Sequence, residues 1–327
     1  MIVLGIESSC DETSVAVVKD GKKILSNIVV SSLKMHSKHG GVIPEIASRM
    51  QLESIVTVFN QAIEKAKIKL KKIDLVCVTS GPGLPGSLLV GISFAKALAL
   101  SLEKPLLGVN HIYSHIYANI LCYDNIKLPA VALVVSGGHT SLFFIKDFSN
   151  FQVLGQTLDD ACGEAFDKVA RIMGLGYPGG PLIEKIAKGN YKDKIKFACS
   201  KTDNEMDFSF SGIKTAVLYY LKNKKISASL KKNLAASFQE SVVNTLIKKS
   251  LIACKHKKVF TLLIGGGVVA NSYLRQKMAI RAKEVGINCY FPEINLCMDN
   301  AAMVAAFGGY LYKKGLRSNL YLNMQLI

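Results

Sequence analysis

The residues best suited to bind a metal ion are two histidines one helical turn apart, His111 and His115. Their spacing places both imidazoles on one face of a helix, where both rings can reach one cation. The alternative is that they only pack beside Ile112 and Ile116, as histidines on apolar helices often do. A zinc protease of the His-Glu-x-x-His type needs glutamate where this chain has Ile112, so the pattern disfavours proteolysis.

A third ligand for such an ion must come from a distant part of the chain. Asp299 is the best candidate, because it stands before a helix of small residues that could lie close to a cleft. Two neutral imidazoles and one carboxylate would leave a divalent ion positively charged, with open coordination positions. The three residues therefore predict a metal site that accepts phosphate oxygens.

Two apolar segments that are interrupted by small polar turns predict buried hairpins. They cover residues 3–18 and 131–145, and serine and glycine stand in their turns. These residue types permit positive φ and let backbone N–H groups converge on an anion. Two such turns facing one cleft predict a phosphate clamp.

Three carboxylates are candidate groups for acid–base chemistry or substrate binding. Asp11 and Glu12 stand at the first predicted turn, where a carboxylate can orient a nucleophile or hold a cation, although turns favour Asp in any case. Asp167 follows Glu164 by about one helical turn. It could reach a ribose hydroxyl, and an exposed helical acid is equally consistent with the spacing.

A repeated strand–glycine–helix pattern predicts how these residues are positioned. An apolar strand over 75–79 enters a Gly/Pro loop and then a helix over 88–102, and a strand over 260–264 enters three glycines and then Asn271 at a helix start. The glycines at 179–180 and 265–267 permit close approach of a base or sugar. The repeat predicts a doubly wound α/β protein with two lobes and mixed sheets around a cleft.

Length and composition bound this interpretation. A chain of 327 residues favours two domains, which we place at 1–123, completed by 300–327, and at 124–299. Eight scattered cysteines without a C-x-x-C pair indicate neither a disulfide framework nor a zinc ribbon. The longest apolar segment, 86–102, contains Lys96, and the first residues form a strand without a leader pattern. We therefore expect a soluble cytosolic protein.

The net charge of +17 leaves two interpretations open. Lysines and arginines that neutralise phosphates favour nucleic-acid binding. Only five of the 41 basic residues are arginine, however, and lysine-rich composition is also typical of a solvated basic surface.

Ten segments extend the pattern over nearly the whole chain, in order: 5–13, 41–49, 79–91, 110–115, 134–140, 159–167, 177–181, 207–215, 265–271 and 299–302. With these segments the chain resembles the bacterial branch of the universal family that transfers a threonylcarbamoyl group to tRNA adenosine, once labelled glycoprotease. The resemblance implies a two-lobe actin- and Hsp70-like fold, built from ribonuclease H-like repeats around a nucleotide cleft. It also implies two partner proteins, a catalytically silent paralogue and a small ATPase.

The resemblance assigns site residues. The family's metal ligands fall on His111, His115 and Asp299, and iron(II) is the implied ion, with zinc or magnesium as alternatives. The implied adenylate-binding positions are Val134, Val135, Ser136, Gly137, Gly138, Asp167, Gly180 and Asn271. Two positions depart from the family: Glu184 stands where many relatives have aspartate, and residues 319–327 lack the Pro/Arg-rich ending common among relatives.

The implied reaction transfers the threonylcarbamoyl group of threonylcarbamoyl-AMP to the exocyclic amine of the adenosine just after the anticodon. The acceptors are tRNAs that read codons beginning with A, and AMP is released. Since an attacking amine must lose a proton, we expect Asp11 and Glu12 at the open mouth of the cleft, where one of them acts as the base.

Three other functions remain as alternatives. An actin-fold phosphotransferase or acyl kinase would use the paired hairpins equally well, but it leaves the two histidines without a role. A metalloprotease is disfavoured by Ile112. A non-catalytic paralogue is disfavoured because His111, His115, Asp299 and Asn271 are all present.

Overall fold

The computed structural model describes residues 1–189, 195–224 and 227–325. The chain divides into two compact units, one made of Met1–Asp124 with Asn295–Ile327, and one made of Asn125–Ile294. Compared with the division expected from the sequence, residues 295–299 belong to the first unit instead of the second. Residues 326 and 327, at the end of the returning segment, lie outside the described residues.

The regular elements within the described residues are ten β-strands and eleven α-helices. The strands are β1 (Ile2–Glu7), β2 (Glu12–Lys19), β3 (Lys23–Ser31), β4 (Leu75–Gly81), β5 (Leu106–Asn110), β6 (Ala130–Val135), β7 (Thr140–Asp147), β8 (Asn150–Gln156), β9 (Thr261–Gly265) and β10 (Asn288–Tyr290). The helices are α1 (Leu33–Ser37), α2 (Pro44–Ala66), α3 (Pro85–Leu102), α4 (His111–Cys122), α5 (Cys162–Ile172), α6 (Gly179–Ala187), α7 (Ser211–Leu221), α8 (Ala228–Lys257), α9 (Ser272–Glu284), α10 (Ile294–Cys297) and α11 (Ala301–Lys313).

The two units repeat one sheet plan. The first sheet has the order β3-β2-β1-β4-β5, and the second has the order β8-β7-β6-β9-β10. In each sheet the first three strands in chain order are antiparallel, and the last two run parallel to the first. The expected repeat of hairpin, strand, glycine loop and helix is confirmed by this correspondence.

The core of the first unit explains why its strands read as continuous apolar runs. β1 and β4 are buried on both faces, because helices cover the sheet on each side. The helix α11 packs on β1 so closely that a Cβ atom on Gly5 would lie 2.3 Å from the carbonyl oxygen of Ala301. Glycine at this position therefore lets α11, and the residues just before it, approach the end of β1.

The helix α3 has the length and apolar composition of a membrane-spanning segment. Its Leu88, Ile92, Ala95 and Ala99 side chains, however, lie in the core of the first unit. Spacings of three, four and seven residues are typical of one buried helix face in a globular protein. The apolar composition of α3 is thus explained by packing against the sheet.

Candidate metal and nucleotide sites

The two histidines lie on α4, as their spacing predicts. The helix starts at His111, directly after β5, and the Asn110 side chain caps it by accepting a hydrogen bond from the N–H of Tyr113 at 3.1 Å. His111 and His115 are both buried, and their rings meet edge to face with centroids 4.6 Å apart. The cap and the helical turn fix both rings on one face of α4.

Asp299 contacts this histidine pair and belongs to the C-terminal segment that completes the first unit. Its Oδ1 atom lies 3.0 Å from Nε2 of His115 and 3.7 Å from Nε2 of His111. The next residue, Asn300, caps α11 by accepting a hydrogen bond from the N–H of Met303 at 3.1 Å, and its amide donates to the carbonyl of Met298 at 2.8 Å. These bonds hold the backbone on both sides of Asp299.

The donor set fits a transition-metal ion. One ligand atom from each of His111, His115 and Asp299 can be chosen so that all three lie within 4.8 Å of one another. Two imidazoles and one carboxylate with open positions suit iron(II) or zinc. Magnesium fits less well, because it prefers oxygen ligands.

Glu7 supports the metal-ligand arrangement, and the sequence reasoning did not identify it. Its buried carboxylate, at the end of β1, lies 3.0 Å from Nδ1 of His111 and accepts hydrogen bonds of 2.6 Å from the Thr79 hydroxyl and the Ser9 N–H. Burial alone would raise the pKa of Glu7, but the charge and hydrogen bond of His111 hold it below its ordinary value. The ionised carboxylate thereby orients His111 with Nε2 towards Asp299.

Replacing Glu7 with glutamine is expected to weaken metal affinity by about 10- to 100-fold, the usual effect of losing such a supporting carboxylate. The reason is that a neutral amide holds the His111 ring less firmly and makes it less basic. Titration calorimetry with zinc on the metal-free protein measures the effect. The matched control is Glu53→Gln on the exposed part of α2. Equal affinities for the two variants would contradict the role of Glu7.

Metal binding is expected to release about one proton per ion at neutral pH. Burial alone would lower the pKa of His111, but the carboxylates of Asp299 and Glu7 outweigh burial and raise it to about 9. Below that pH the metal-free ring carries a proton that an ion must displace, so apparent affinity rises with pH up to about 9. Calorimetry in two buffers of different ionisation enthalpy measures the release, and a heat independent of buffer would refute it.

The carboxylates of Asp11 and Glu12 differ in their surroundings. Asp11 is partly exposed, as expected, and its backbone carbonyl accepts hydrogen bonds from the N–H and the hydroxyl of Ser32. Glu12 is only 7% exposed and accepts a hydrogen bond from the Ser31 hydroxyl at 3.3 Å. The expectation that Glu12 lies at an open mouth is therefore wrong, because its side chain enters the interior as the first residue of β2.

Burial raises the pKa of Glu12 well above its ordinary value, and the negative charges of Asp299 and Asp11 add to this effect. This rise favours the neutral form of the Glu12 carboxyl group. A protonated carboxyl group cannot accept a proton, so Asp11 is the better candidate for the base.

A single amide holds the turn that carries Asp11. The Nε2 atom of Gln51, on α2, donates to the carbonyl oxygens of Ser8, Cys10 and Glu12 at 3.3, 2.9 and 3.0 Å. Gln51 is buried, so these bonds are shielded from water. Its sequence position, within an amphipathic helix, offered no signal of this role.

The turn of the second hairpin closes without positive φ. The Ser136 N–H donates to the His139 carbonyl at 2.8 Å, and the Ser136 hydroxyl accepts from the His139 N–H at 3.0 Å. Neither Gly137 nor Gly138 has positive φ, and no residue of the first turn has it either. The positive φ that these residue types permit is therefore not used, and in the second turn one backbone and one side-chain hydrogen bond close the chain.

Open space surrounds the glycines of the second turn. A Cβ atom built on Gly137 or Gly138 would meet no atom within 4 Å. The other side of the turn is closed, since a Cβ atom on Gly163, at the start of α5, would lie 2.7 Å from the Ser136 carbonyl oxygen. The exposed side of this turn can therefore accept a ligand against its backbone.

The residues after β9 meet the same edge of the second sheet, because β9 runs parallel to β6. Gly266 has φ of 97° and lies so close to β6 that a Cβ atom would be 2.4 Å from the Val135 carbonyl oxygen. Asn271 then caps α9 by accepting a hydrogen bond from Leu274, and its amide donates to Gln239 at 2.9 Å. The expected helix start at Asn271 is confirmed.

Asp167 and Gly180 come together at the start of α6. Asp167 is partly buried on α5 and accepts a hydrogen bond of 2.6 Å from the N–H of Gly179. Burial raises the pKa of Asp167, while the bond from Gly179 opposes that rise. A Cβ atom on Gly180 would meet no atom within 4 Å, so a ligand has room there. Glu184, on the same helix, accepts a 2.8 Å hydrogen bond from the N–H of Ser272, the residue after Asn271.

Comparison with known families gives a match along most of the chain. The model of the family described as tRNA N6-adenosine threonylcarbamoyltransferase matches residues 23–306. A protein of that name from Thermosipho africanus is 52% identical over 320 residues, covering 98% of this chain and 97% of the relative. Another from Dictyoglomus turgidum is 50% identical over 328 residues, covering 99% and 97%.

Comparison with solved structures confirms the expected fold class. HypF of T. kodakarensis matches with a TM-score of 0.64 and 14% identity, covering 96% of this chain and 48% of that protein. Component A of the Acidaminococcus fermentans (R)-2-hydroxyglutaryl-CoA dehydratase matches with a TM-score of 0.56 and 14% identity, covering 96% and 99%. At such low identity these matches establish an actin-like α/β fold and nothing about function.

Proposed function

The chain belongs to the tRNA N6-adenosine threonylcarbamoyltransferase family, and we propose that its donor is threonylcarbamoyl-AMP and its acceptor the exocyclic amine of the adenosine just after the anticodon. It is a transferase of tRNA modification. The tRNAs that read codons beginning with A are the acceptors, and AMP is the second product. The observation that carries the proposal is the triad of the buried His111 and His115 with the partly exposed Asp299, supported by Glu7.

His111, His115 and Asp299 would hold iron(II), or zinc in its place. Bound to these residues, the ion would supply Lewis-acid stabilisation of negatively charged oxygen atoms. The Glu7 carboxylate interacts with Nδ1 of His111, so Nε2 of that ring is left to bind the ion. The nitrogen ligands disfavour magnesium.

The adenylate is assigned to the second unit. The backbone N–H groups of Ser136, Gly137 and Gly138 are suited to phosphate oxygens, because the outer side of their turn is open. Val134 and Val135 end the strand that supports this turn. Asp167 and Gly180 are suited to the ribose. Asn271 is assigned to the same site, because it stands between β9 and α9, and β9 is the strand beside β6.

The transfer balances without a further reactant. The adenosine amine attacks the carbamoyl carbon, a new C–N bond forms, and the bond from that carbon to the adenylate phosphate oxygen breaks. AMP leaves with the electron pair, and the amine proton passes to Asp11. Asp11 suits this step because it is more exposed than Glu12, whose pKa burial raises well above its ordinary value.

One assay tests the proposed function directly. Purified protein is incubated with unmodified tRNA and threonylcarbamoyl-AMP, with the partner proteins added in a second arm, and the nucleosides are analysed by mass spectrometry. The expected product is threonylcarbamoyladenosine together with an equal amount of AMP. Consumption of the adenylate without modified nucleoside in either arm would overturn the proposal.

Replacing Gly180 with valine is expected to lower AMP affinity by at least about tenfold, since a branched side chain fills the open space beside the start of α6. The same change at Gly137 should act similarly at the second turn. Calorimetry with AMP measures both. The control is Ala279→Val, which adds a branched side chain at an exposed position of α9. Unchanged affinity in both valine variants would place the nucleotide elsewhere.

The proposed location is the cytoplasm, and the proposed partners are a catalytically silent paralogue and a small ATPase, in addition to tRNA. An exposed apolar face on the first unit supports a protein partner. It consists of Leu52 and Val56 on α2 with Leu89 and Leu100 on α3. Their spacings of 4 and 11 residues place each pair on one helix face, and α2 and α3 pack against each other. We assign this face to the paralogue.

A further inference from the structure

A groove of about 1140 Å³ lies on the second unit, away from its candidate nucleotide residues. It is formed by the C-terminal half of α8, the outer side of α9 and the residues that precede β9 and β10. The candidate nucleotide residues follow the opposite end of β9, and a five-residue strand spans about 17 Å. The groove is therefore a separate surface.

The floor of the groove is aliphatic, with one aromatic ring. Leu251, Val259 and Ile287 lie beside Phe260, which is 69% exposed, and Val285, which is 56% exposed. Exposure of apolar surface to water costs about 25 cal/mol per Å² of accessible area, and a partner that covered this floor would recover that free energy. An apolar patch with a polar rim is typical of a binding surface.

The rim of the groove is cationic. Lys248, Lys255 and Lys258 stand along one side, and Lys277 and Arg281 stand on α9. Among the described residues, none that lines the groove is acidic. Arg281 is paired with Glu284 at 3.2 Å, whereas within the described part of the chain none of the four lysines forms an ion pair with a carboxylate. Exposed like charges around one groove repel, and an anionic partner would relieve that repulsion.

We propose that this groove binds an amphipathic helix of a partner protein, with its apolar face on the floor and flanking carboxylates against the lysine rim. Its volume exceeds the ~300–1,000 Å³ of ordinary small-molecule pockets, and a helix about 10 Å wide suits an open groove. RNA is less suited, because single-stranded RNA needs stacking aromatics and free guanidinium groups. Of the described residues that line the groove, the one aromatic residue is Phe260 and the one arginine, Arg281, is already paired.

Two synthetic peptides of about 14 residues, roughly 21 Å long as helices, test this proposal. Both carry the same leucine face, one flanked by glutamates and the other by lysines. Fluorescence anisotropy with the full chain should show the acidic peptide binding at least about tenfold more tightly. No detectable binding of the acidic peptide, or equal binding of both, would overturn the proposal.

Variants locate the binding on the molecule. Lys255→Glu with Lys277→Glu should lower acidic-peptide affinity by about tenfold or more, and Lys71→Glu with Lys72→Glu, which changes net charge equally on the other unit, should not. Phe260→Ser tests the floor at an exposed position where folding is not at risk. Each variant is checked by circular dichroism and by its transfer activity, which should stay unchanged. If the groove variants weaken binding of unmodified tRNA and leave peptide binding unchanged, the groove is an RNA surface and the proposal is wrong.

Discussion

Replacing Asp299 with alanine is expected to leave the first unit folded, to abolish binding of the proposed metal ion and to stop threonylcarbamoyl transfer. Two imidazoles alone rarely retain a divalent ion, so loss of one of three protein ligands collapses the site. The fold should survive because Asn300, and not Asp299, caps α11. Elemental analysis and circular dichroism of the purified variant measure both effects. His111→Ala and His115→Ala should behave in the same way.

The control for the Asp299 variant replaces an acidic residue of a surface ion pair. Glu284→Ala, in the second unit, loses its contact with Arg281 and should keep full metal content and full activity. Full metal occupancy in the double variant His111→Ala with His115→Ala would show that the ion binds somewhere else.

Replacing Asp11 with asparagine is expected to slow the single-turnover rate by about 10²-fold or more while AMP affinity stays unchanged. The amide cannot accept the proton of the attacking amine, and the candidate adenylate residues belong to the other unit. Glu12→Gln should retain nearly full activity, because burial raises the pKa of that carboxyl group and so favours the neutral form that glutamine resembles. Rapid-quench measurements with tRNA in excess separate the two variants.

Other outcomes of that experiment are equally decisive. If Asp11→Asn matches the unmodified protein, the base is water or the substrate phosphate. If the loss appears at Glu12 instead, Glu12 is ionised when metal and substrates are bound. The pair forms a matched test, since the two residues are adjacent and both changes replace a carboxylate with its amide.

Local patterns in the sequence predicted much of the fold and part of the site. Helical spacing placed His111 and His115 on one face of α4, and a polar residue after a glycine turn placed Asn271 at a helix cap. Asp299 was found because it precedes a helix of small residues that packs closely on β1. Each of these inferences depends on residues near one another in the chain.

Contacts between distant segments could not be predicted in this way. Glu7 and His111 are 104 positions apart and meet only because β1, β4 and β5 run parallel and end at one edge of the sheet. Glu12 is buried because it is the first residue of β2 and its side chain lies inside the first unit. From the sequence, its charged side chain in a turn suggested exposure. In the second turn, the glycines alone could not predict φ, because a backbone hydrogen bond and a Ser136 side-chain hydrogen bond close the turn without positive φ.

The amide of Gln51 connects α2 directly to the first turn. A shift of α2 along its axis would disturb its contacts with three backbone carbonyl oxygens of that turn at once. The turn includes Ser9, whose hydroxyl lies 3.1 Å from Nδ1 of His111. Leu52, the next residue on α2, is exposed to solvent. A protein bound on that side of α2 would therefore be linked to His111, a candidate metal ligand, through Gln51 and Ser9.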